Sequence, residues 1–200
     1  MEKAELRLSL LKTRKSLSKE EWKEKSDRIC FHLQSSPLFT KAKTVLAYFS
    51  FRQEPDLSTL FINNYCRWGF PRCVGDTLYW HVIETRNFTE TQNFASLQIG
   101  AYGILEPLPN TPTLQPEEVD LILVPAVACD EQGYRLGYGG GYYDRLLSSP
   151  AWASKLTIGI GFEFAYLPKL PTNSWDIQLQ GVCTENGLRI IQQIGSNSTF

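Results

Sequence analysis

A glycine-rich run near the carboxyl third carries the clearest chemical signal of this 200-residue chain. Four glycines and Tyr138 fill positions 137–141, the segment called the glycine loop below. Glycine has no Cβ, so its backbone N–H groups can approach a ligand closely and its φ angle can be positive. The apolar run 120–125 upstream predicts a buried strand, and a helix is predicted to start at Tyr142 with unpaired N–H groups. This order of strand, loop, glycines and helix start is typical of an anion site, most often for phosphate.

A flexible surface turn is the alternative interpretation of the same glycines. No Gly-Lys-Ser/Thr follows them as in a Walker loop, and the Rossmann glycine spacing fits poorly. Two features favour phosphate. Tyr142, Tyr143 and Asp144 follow the glycines, instead of the Ser and Asn of a linker. Arg135 and Arg145 stand on either side, so cations flank the predicted phosphate position.

Acidic residues in predicted loops suggest a metal beside the phosphate. Mg²⁺ is typically held by one or two carboxylates together with substrate phosphates. The candidates are Glu54, Glu106, Asp120, Asp130, Asp144, Glu163 and Asp176. Each alone is better explained as a cap or a surface charge than as a metal ligand, except Asp144, which directly follows the glycines. Two isolated histidines make a zinc centre unexpected, and no Gly-x-Ser-x-Gly elbow points to a serine nucleophile.

The elements that must position these residues alternate between strands and helices. We expect strands at 45–50, 69–74, 78–83, 120–125, 157–162 and 181–184, helices within 2–35, at 57–66 and from 142, and mostly loop at 84–118. Continuous apolar strands alternating with helices indicate an α/β fold, with a mostly parallel sheet covered by helices on both faces. We therefore predict one Rossmann-like, three-layer domain over residues 1–194 and a frayed tail at 195–200. Ligands would bind at the carboxyl ends of the strands, where the chain around Glu54 and the glycine loop would meet.

The amino-terminal segment predicts two helices, the second opened by a capping box of Ser18 and Glu21. Lys3, Arg7 and Arg14 are spaced by four and seven residues, so they share one helix face. A solvated basic stripe is the simpler interpretation of that face. Because nine Lys and Arg lie between positions 3 and 28, the face could also reach an anion near the glycine loop.

Composition narrows the functional class. A formal net charge of −1 gives no general attraction for nucleic acid. The five cysteines match no zinc or redox spacing and have apolar neighbours, as expected of buried residues in a reducing compartment. No apolar run is long enough for a membrane span, and the amino terminus has no apolar signal core. We expect a cytoplasmic monomer without nucleic-acid or membrane partners.

The segment from Val124 to Arg145 closely resembles the signature of the 5-formyltetrahydrofolate cyclo-ligase family, also called methenyltetrahydrofolate synthetases. Weaker similarities follow the family's order along most of the chain: Lys3 to Arg7, Glu54 after the first strand, Phe70 to Arg72, Gly103 to Pro107, Asp176, and Val182 to Glu185.

This resemblance implies an ATP-dependent ring closure. The formyl oxygen of 5-formyltetrahydrofolate would attack the γ-phosphate of ATP. N10 would then attack the imidate phosphate, and phosphate would leave to give 5,10-methenyltetrahydrofolate. Phosphoryl transfer needs positioning and charge neutralisation more than covalent help, which glycine N–H groups, Mg²⁺ and a few cations can supply.

The resemblance also assigns roles to individual residues. It implies an ATP site made of Lys3, Arg7, Arg135, Leu136, Gly137, Tyr138, Gly139, Gly140, Gly141, Tyr142 and Tyr143. The implied catalytic residues are Arg135, Tyr142 and Asp144. The implied folate contacts are Phe49, Glu54, Gly139, Gly141 and Tyr142, and Asp144 with Asp176 would bind Mg²⁺.

The chain departs from the family pattern at three places. Residues 163–166 lack the usual glutamine, Trp175 stands where a histidine often precedes the late aspartate, and Cys73 replaces a tyrosine found in relatives. These positions concern the edge of the folate pocket and the alignment of Asp176. Two alternatives to an enzyme remain open: a non-catalytic folate or nucleotide binder, and an RNA binder using the Gly/Tyr-rich segment, against which the net charge argues. Phosphate-backbone binding would weaken steeply with salt.

Overall fold

The structure, a computed structural model, describes residues 2–62, 66–84 and 96–191. The helices in these ranges are α1 (Lys3–Lys15), α2 (Lys19–Gln34), α3 (Pro37–Thr40), α4 (Ser58–Phe61) and α5 (Tyr142–Ser148). The strands are β1 (Thr44–Leu46), β2 (Arg67–Val74), β3 (Thr77–Val82), β4 (Leu97–Ile99), β5 (Leu105–Pro107), β6 (Leu121–Pro125), β7 (Ala128–Asp130), β8 (Arg135–Leu136), β9 (Leu156–Ile160), β10 (Tyr166–Leu167), β11 (Gly181–Thr184) and β12 (Gly187–Ile190).

Seven strands form the main sheet, in the order β12-β11-β9-β6-β1-β2-β3. The four central pairings are parallel, whereas β3 and β12 add antiparallel edges. The central strands are buried on both faces, so their sequences are apolar without alternation. The expected mostly parallel α/β sheet is therefore confirmed.

Helices cover both faces of this sheet. Val45, Leu121 and Leu123 pack with α2, α3 and α4 on one face. Leu46 and Ile122 point the other way and pack with Leu146 and Leu147 of α5. This alternation follows from the two-residue period of a strand, and it produces the three layers expected from the sequence.

Strands β7 and β8 follow β6 in the chain and lead into the glycine loop. Together with β10 they form a three-stranded sheet in the order β10-β7-β8. Its hairpin turn is fixed by Asp130, whose buried carboxylate accepts the N–H groups of Gln132, Tyr134 and Leu170. Helix α1 packs on it through Leu10, in a cluster that includes Leu136. The amino-terminal helix is thereby placed beside the glycine loop.

Several elements differ from the sequence expectation. Strand β1 ends at Leu46 because the chain beyond Ala47 leaves the sheet edge and turns towards Glu54. Helix α4 is one turn long, and residues 63–65 of the predicted helix lie outside the described residues. The segment 84–118 contains the antiparallel pair β4 and β5, although 85–95 lie outside the described residues. Strand β12 was not predicted, because its partly exposed sequence lacks an apolar run.

The capping box at the start of α2 is confirmed, since Ser18 and Glu21 bond reciprocally. Among the described residues, no helix combines the length and the apolarity that crossing a bilayer would require. Residues 195–200 lie outside the described residues, so the predicted frayed tail, like the domain boundary, stays a prediction.

Candidate active site

The glycine loop joins β8 to α5 and adopts a backbone that requires glycine at two positions. Gly139 has φ 99° and Gly141 has φ 67°. Gly141 is also the N-cap residue, directly before the first residue of α5. Such angles are strained for residues with a Cβ. At Gly140 the obstacle is steric, since a Cβ would lie 2.9 Å from the ring of Tyr142. The loop therefore leaves its backbone N–H groups accessible to a ligand.

The cations of α1 contact this loop and its surroundings. The Nε of Arg7 donates to the carbonyl of Gly137 at 2.7 Å, and its guanidinium would be 3.8 Å from a Cβ at Gly139. The Nζ of Lys3 pairs with Asp176 at 2.5 Å. These contacts exclude the solvated-stripe interpretation for Lys3 and Arg7. The face they share is directed towards the glycine loop, as the alternative interpretation expected.

Arg135 and Asp144 form an ion pair across the glycine loop, with 3.1 Å between Nη2 and Oδ2. The Arg135 guanidinium also lies over the ring of Tyr143, 5.1 Å from its centroid. The Nε of Arg135 and the hydroxyl of Tyr143 are buried without a hydrogen-bond partner in the described structure. Buried polar groups without partners are uncommon in folded proteins, so this pair is a place where a polar ligand could bind.

Tyr142 points to the opposite side of the loop. Its hydroxyl donates to the carbonyl of Gly75 at 3.1 Å, and the hydroxyl of Tyr102 lies 3.5 Å away. Arg145 stacks over the Tyr142 ring at 5.1 Å and donates to the carbonyl of Asp76. Tyr142 therefore links the loop to the β2–β3 hairpin. Arg145 also stays beside the loop, since its Nη1 would be 2.7 Å from a Cβ at Gly141.

Residues 50–56, the Glu54 loop, follow β1 at the carboxyl edge of the sheet. Arg52 and Gln53 have φ angles of 49° and 55°, a conformation that costs non-glycine residues energy and is most common at functional sites. This turn places the Glu54 carboxylate in the interior, 4% exposed. Burial raises its pKa from 4.5 to about 7, against the opposing effects of Arg14, of the Phe51 N–H and of the Tyr138 hydroxyl.

The Glu54 loop and the glycine loop meet at Tyr138. The Tyr138 ring contacts Phe51 with 6.4 Å between centroids, and its hydroxyl faces the Glu54 carboxylate and helps to oppose the rise in the pKa of that carboxyl. Phe49 directly precedes the Glu54 loop and stacks on Phe70, with 4.3 Å between the ring centroids. The structure thus brings the residues expected to bind phosphate and those expected to bind folate to one edge of the sheet.

Comparison with known proteins agrees with the family resemblance of the segment from Val124 to Arg145. The family model described as "5-formyltetrahydrofolate cyclo-ligase family" matches residues 1–185. The chain belongs to the 5-formyltetrahydrofolate cyclo-ligase family.

Individual relatives agree with that membership. The 5-formyltetrahydrofolate cyclo-ligase of Escherichia coli is 30% identical over 177 residues, covering 86% of this chain and 93% of the relative. That of Haemophilus influenzae is 39% identical over 79 residues, 39% of this chain and 42% of the relative. The solved structure of Aquifex aeolicus 5,10-methenyltetrahydrofolate synthetase is 35% identical, covers 100% of this chain and 97% of that one, and has a TM-score of 0.83.

The donor set of this cyclo-ligase family member limits how a metal could be held. Within the described residues, no three His, Cys, Asp or Glu side chains cluster as ligands. Asp144 and Asp176 already carry cations, Arg135 and Lys3 respectively. Two carboxylates fit Mg²⁺ only if substrate phosphates supply further oxygens, which is the usual mode for this ion. Each of the two carboxylates is of the donor type that Mg²⁺ prefers.

The other acidic candidates have structural partners. Asp120 accepts the N–H groups of Lys43 and Thr44, and Asp130 fixes the β7–β8 turn. Glu106 pairs with Arg72 at 2.6 Å. Glu163, at the departure from the family pattern, pairs with Arg189 at 2.8 Å and accepts the Thr184 hydroxyl. Asp120 and Asp130 cap backbone N–H groups, as expected. Glu106 is neither a cap nor a surface charge, because it is buried in its ion pair with Arg72.

The remaining departures and the cysteines have plain structural descriptions. Trp175 is 65% exposed beside Asp176, and the Cys73 N–H donates to Glu106. All five cysteines are free, and three of them are buried, as expected: Cys30, Cys129 and Cys183. Burial raises the thiol pKa of Cys30 to about 11 and that of Cys129 to about 12, so neither is a thiolate nucleophile at neutral pH.

Three features of the site were not predicted from the sequence. The first is the burial of Arg14, which is 2% exposed and contacts Tyr138. The only sequence signal for this residue was its spacing from Lys3 and Arg7. Tyr138, expected at the ATP site, directs its hydroxyl to Glu54. The approach of the Tyr102 hydroxyl to the Tyr142 hydroxyl was also missed, because no local pattern connects positions 40 residues apart.

Proposed function

We propose that this chain converts 5-formyltetrahydrofolate and ATP into 5,10-methenyltetrahydrofolate, ADP and phosphate. The observation that carries the proposal is the contact of the glycine loop with the Glu54 loop through Tyr138. The reaction requires the γ-phosphate of one substrate to meet the formyl oxygen of the other. A phosphate loop adjacent to a buried carboxylate suited to a pterin provides that proximity.

The proposed reaction has two steps. First the formyl oxygen attacks the γ-phosphorus, the bond from that phosphorus to the β-γ bridging oxygen breaks, and ADP leaves. N10 then attacks the formyl carbon of the imidate phosphate, the carbon–oxygen bond breaks, phosphate leaves and N10 loses its proton. Phosphorylation is needed because an amide oxygen is a poor leaving group.

The glycine loop would bind the ATP phosphates through its N–H groups, with Arg7 and Lys3 adding positive charge from α1. Arg135 lies under the loop, and its unpaired Nε together with the Tyr143 hydroxyl offers donors in a buried setting. Preorganised donors of this kind stabilise charge that develops during the reaction. Tyr142 would help to hold the loop, since its hydroxyl ties it to Gly75.

Asp144 and Asp176 are the residues that would hold Mg²⁺ together with the ATP phosphates. When bound, Mg²⁺ would neutralise phosphate charge during the transfer. Each aspartate would have to exchange its present cationic partner, Arg135 or Lys3, at least in part.

Glu54 is the residue proposed to recognise the pterin. An ionised carboxylate accepts hydrogen bonds only, and a pterin ring presents an amino group and a ring N–H side by side. Phe49 and the stacked Phe70 give an aromatic wall next to it. Burial makes a lost hydrogen bond to Glu54 costly, which favours specificity.

The direct test mixes the purified protein with ATP, MgCl₂ and 5-formyltetrahydrofolate and follows the methenyl-folate absorbance together with ADP release. We expect both to rise in equal amounts, and neither to rise when ATP is left out. ATP hydrolysis without methenyl-folate would contradict the assigned reaction. Saturable folate binding without turnover would indicate the non-catalytic binder instead.

A further inference from the structure

Arg14 is the most buried cation that contacts this site, and nothing in the proposed reaction uses it. It lies in the last turn of α1, with 2% of its surface exposed. One guanidinium nitrogen donates to the Tyr138 hydroxyl at 2.8 Å, and the other donates to the carbonyl of Ala126 at 2.7 Å. Ala126 directly follows β6, so this side chain ties α1 to the carboxyl edge of the sheet.

The contacts of Arg14 continue to Glu54. The Tyr138 hydroxyl accepts from Arg14, and the Tyr138 ring contacts Phe51, whose N–H donates to the Glu54 carboxylate. Burial and the nearby Glu54 raise the pKa of Tyr138, so the phenol keeps its proton and can donate it to the carboxylate. The Tyr138 hydroxyl thus lies between a cation, Arg14, and an anion, the Glu54 carboxylate.

We propose that Arg14 is a positioning residue that keeps Glu54 ionised and oriented, through Tyr138, for the N–H donors of a pterin. The inference rests on the proposed function where it makes Glu54 the folate contact. The placement of Arg14 beside Glu54 does not depend on the proposed function: it follows from the Arg14–Tyr138 hydrogen bond and the contact of Tyr138 with the Glu54 loop.

Few other groups face Glu54, so the effect of Arg14 can be isolated. The Phe51 N–H donates to Oε2 at 3.1 Å. Tyr48, from the end of β1, and Tyr143, from α5, also face the carboxylate. Burial raises the pKa of both phenols, so they are neutral. Arg14 is therefore the cation that opposes the burial of Glu54.

Loss of Arg14 should favour the protonated form of Glu54. Burial already brings the pKa of this carboxyl to about 7 with Arg14 in place. An adjacent cation typically lowers a carboxyl pKa by about one unit or more. Arg14→Met keeps the apolar stem and removes the charge, so the titration midpoint of Glu54 should rise by about one pH unit.

The test is a pH titration of the free protein by NMR with ¹³C-labelled glutamate carboxyls. The Glu54 signal is assigned by its absence in Glu54→Gln. We expect the midpoint to rise in Arg14→Met, to stay near the wild-type value in Arg14→Lys, and to stay unchanged in the control Arg67→Met. Arg67 is the first residue of β2, and it pairs with Glu118 on the surface of the protein. An unchanged midpoint in folded Arg14→Met would overturn the proposal.

Tyr138→Phe is the second variant, because Tyr138 is partly exposed and its loss should not prevent folding. It removes the bridging hydroxyl and should also raise the Glu54 midpoint. If neither this variant nor Arg14→Met moves the midpoint, the chain of contacts has no electrostatic role.

Turnover then distinguishes this inference from the proposed function. At pH 7 the KM for 5-formyltetrahydrofolate in Arg14→Met should rise about fivefold, because the ionised fraction of Glu54 falls from about a half to about a tenth. At pH 9 the KM should return to within about twofold of wild type, with the KM for ATP unchanged. A shifted NMR midpoint with an unchanged folate KM would keep the Arg14 chain and reject Glu54 as the folate contact. A purely structural role would reduce activity equally at both pH values.

Discussion

The glycine loop and the Glu54 loop bring charge to the same sheet edge in different ways. The glycine loop is accessible, uses backbone donors, and is flanked by cations from α1 and β8. The Glu54 loop buries one carboxylate behind a turn in which two non-glycine residues adopt positive φ angles. The first suits a highly charged ligand that is recognised by its phosphates. The second suits a neutral ring recognised by a few hydrogen bonds in a water-poor pocket, where each bond discriminates strongly.

The largest effect is expected from disturbing the glycine loop. Gly139→Val forces a branched side chain into φ 99°, close to the Arg7 guanidinium, and should lower turnover by about 100-fold or more through lost donor geometry. Gly187→Val is the matched control, since Gly187 has φ 144° and no atoms near its Cβ position. Both variants should lose about 1–3 kcal/mol of stability, but only the first should lose activity. Steady-state kinetics measure the turnover of each variant, and thermal unfolding measures its stability. Near-normal activity in folded Gly139→Val would reject the phosphate role of the loop.

Glu54→Gln tests the other loop. It keeps the size of the side chain and removes its charge, so the KM for 5-formyltetrahydrofolate should rise roughly ten- to over a hundredfold. The dependences on ATP and Mg²⁺ should change little, because these ligands are assigned to the other loop. Glu118→Gln, in the surface pair with Arg67, is the control. An altered Mg²⁺ requirement would mean that the two loops do not divide the substrates as proposed.

Asp144→Asn tests the metal on the glycine-loop side. We expect the Mg²⁺ concentration for half-maximal activity to rise about 10- to 100-fold, with folate affinity little changed. Asp27→Asn is the control, since Asp27 pairs with Lys23 on the exposed face of α2. If Asp144→Asn changed only folate affinity, the assignment of Asp144 and Glu54 would have to be exchanged.

Arg7→Ala should have a smaller effect, because a cation at the edge of the loop contributes to binding more than to the chemical step. The KM for ATP should rise about tenfold, as expected for one charged hydrogen bond. Lys12→Ala on the exposed side of α1 should leave this KM unchanged. An unaltered KM in Arg7→Ala would return Arg7 to a structural role.

The last expected change is in stability, not in activity, and concerns Glu54 alone. Its pKa is raised from 4.5 to about 7 by burial, so between these pH values the native state holds a proton that the unfolded chain has lost. Stability therefore falls as pH rises through this window, and the cost is fully present above pH 7. Glu54→Gln should be about 3 kcal/mol more stable than wild type at pH 8, as expected for a carboxyl pKa raised from 4.5 to about 7, and gain almost nothing at pH 4.5. Equal stability at pH 8 in denaturant titrations would contradict the burial of an ionised Glu54.

The two loops also differ in how far sequence could predict them. The glycine loop is a local pattern, so its glycines, the following helix and the flanking arginines could be read from consecutive residues. The pairing of Arg135 with Asp144 across nine positions is also close to local. The burial and the mostly parallel pairing of the central strands could also be predicted, from their continuous apolar runs.

The environment of Glu54 could not be read in the same way. Arg14, Glu54 and Tyr138 are far apart in sequence and meet only because α1 packs on the small sheet beside the glycine loop. The burial that raises the pKa of Glu54 depends on that packing and on the backbone turn at Arg52 and Gln53. The spacing of Lys3, Arg7 and Arg14 identified a shared face but not which of the three would be buried.

Direct binding measurements on the two loop variants test the division of substrates most closely. MgADP and 5-formyltetrahydrofolate are titrated separately by calorimetry into the wild-type protein, Gly139→Val and Glu54→Gln. We predict a crossed result, in which Gly139→Val loses MgADP and keeps most of its folate affinity, while Glu54→Gln loses folate and keeps MgADP. The contradictory result is that each folded variant loses the ligand assigned to the other loop, or that both variants bind both ligands as wild type does.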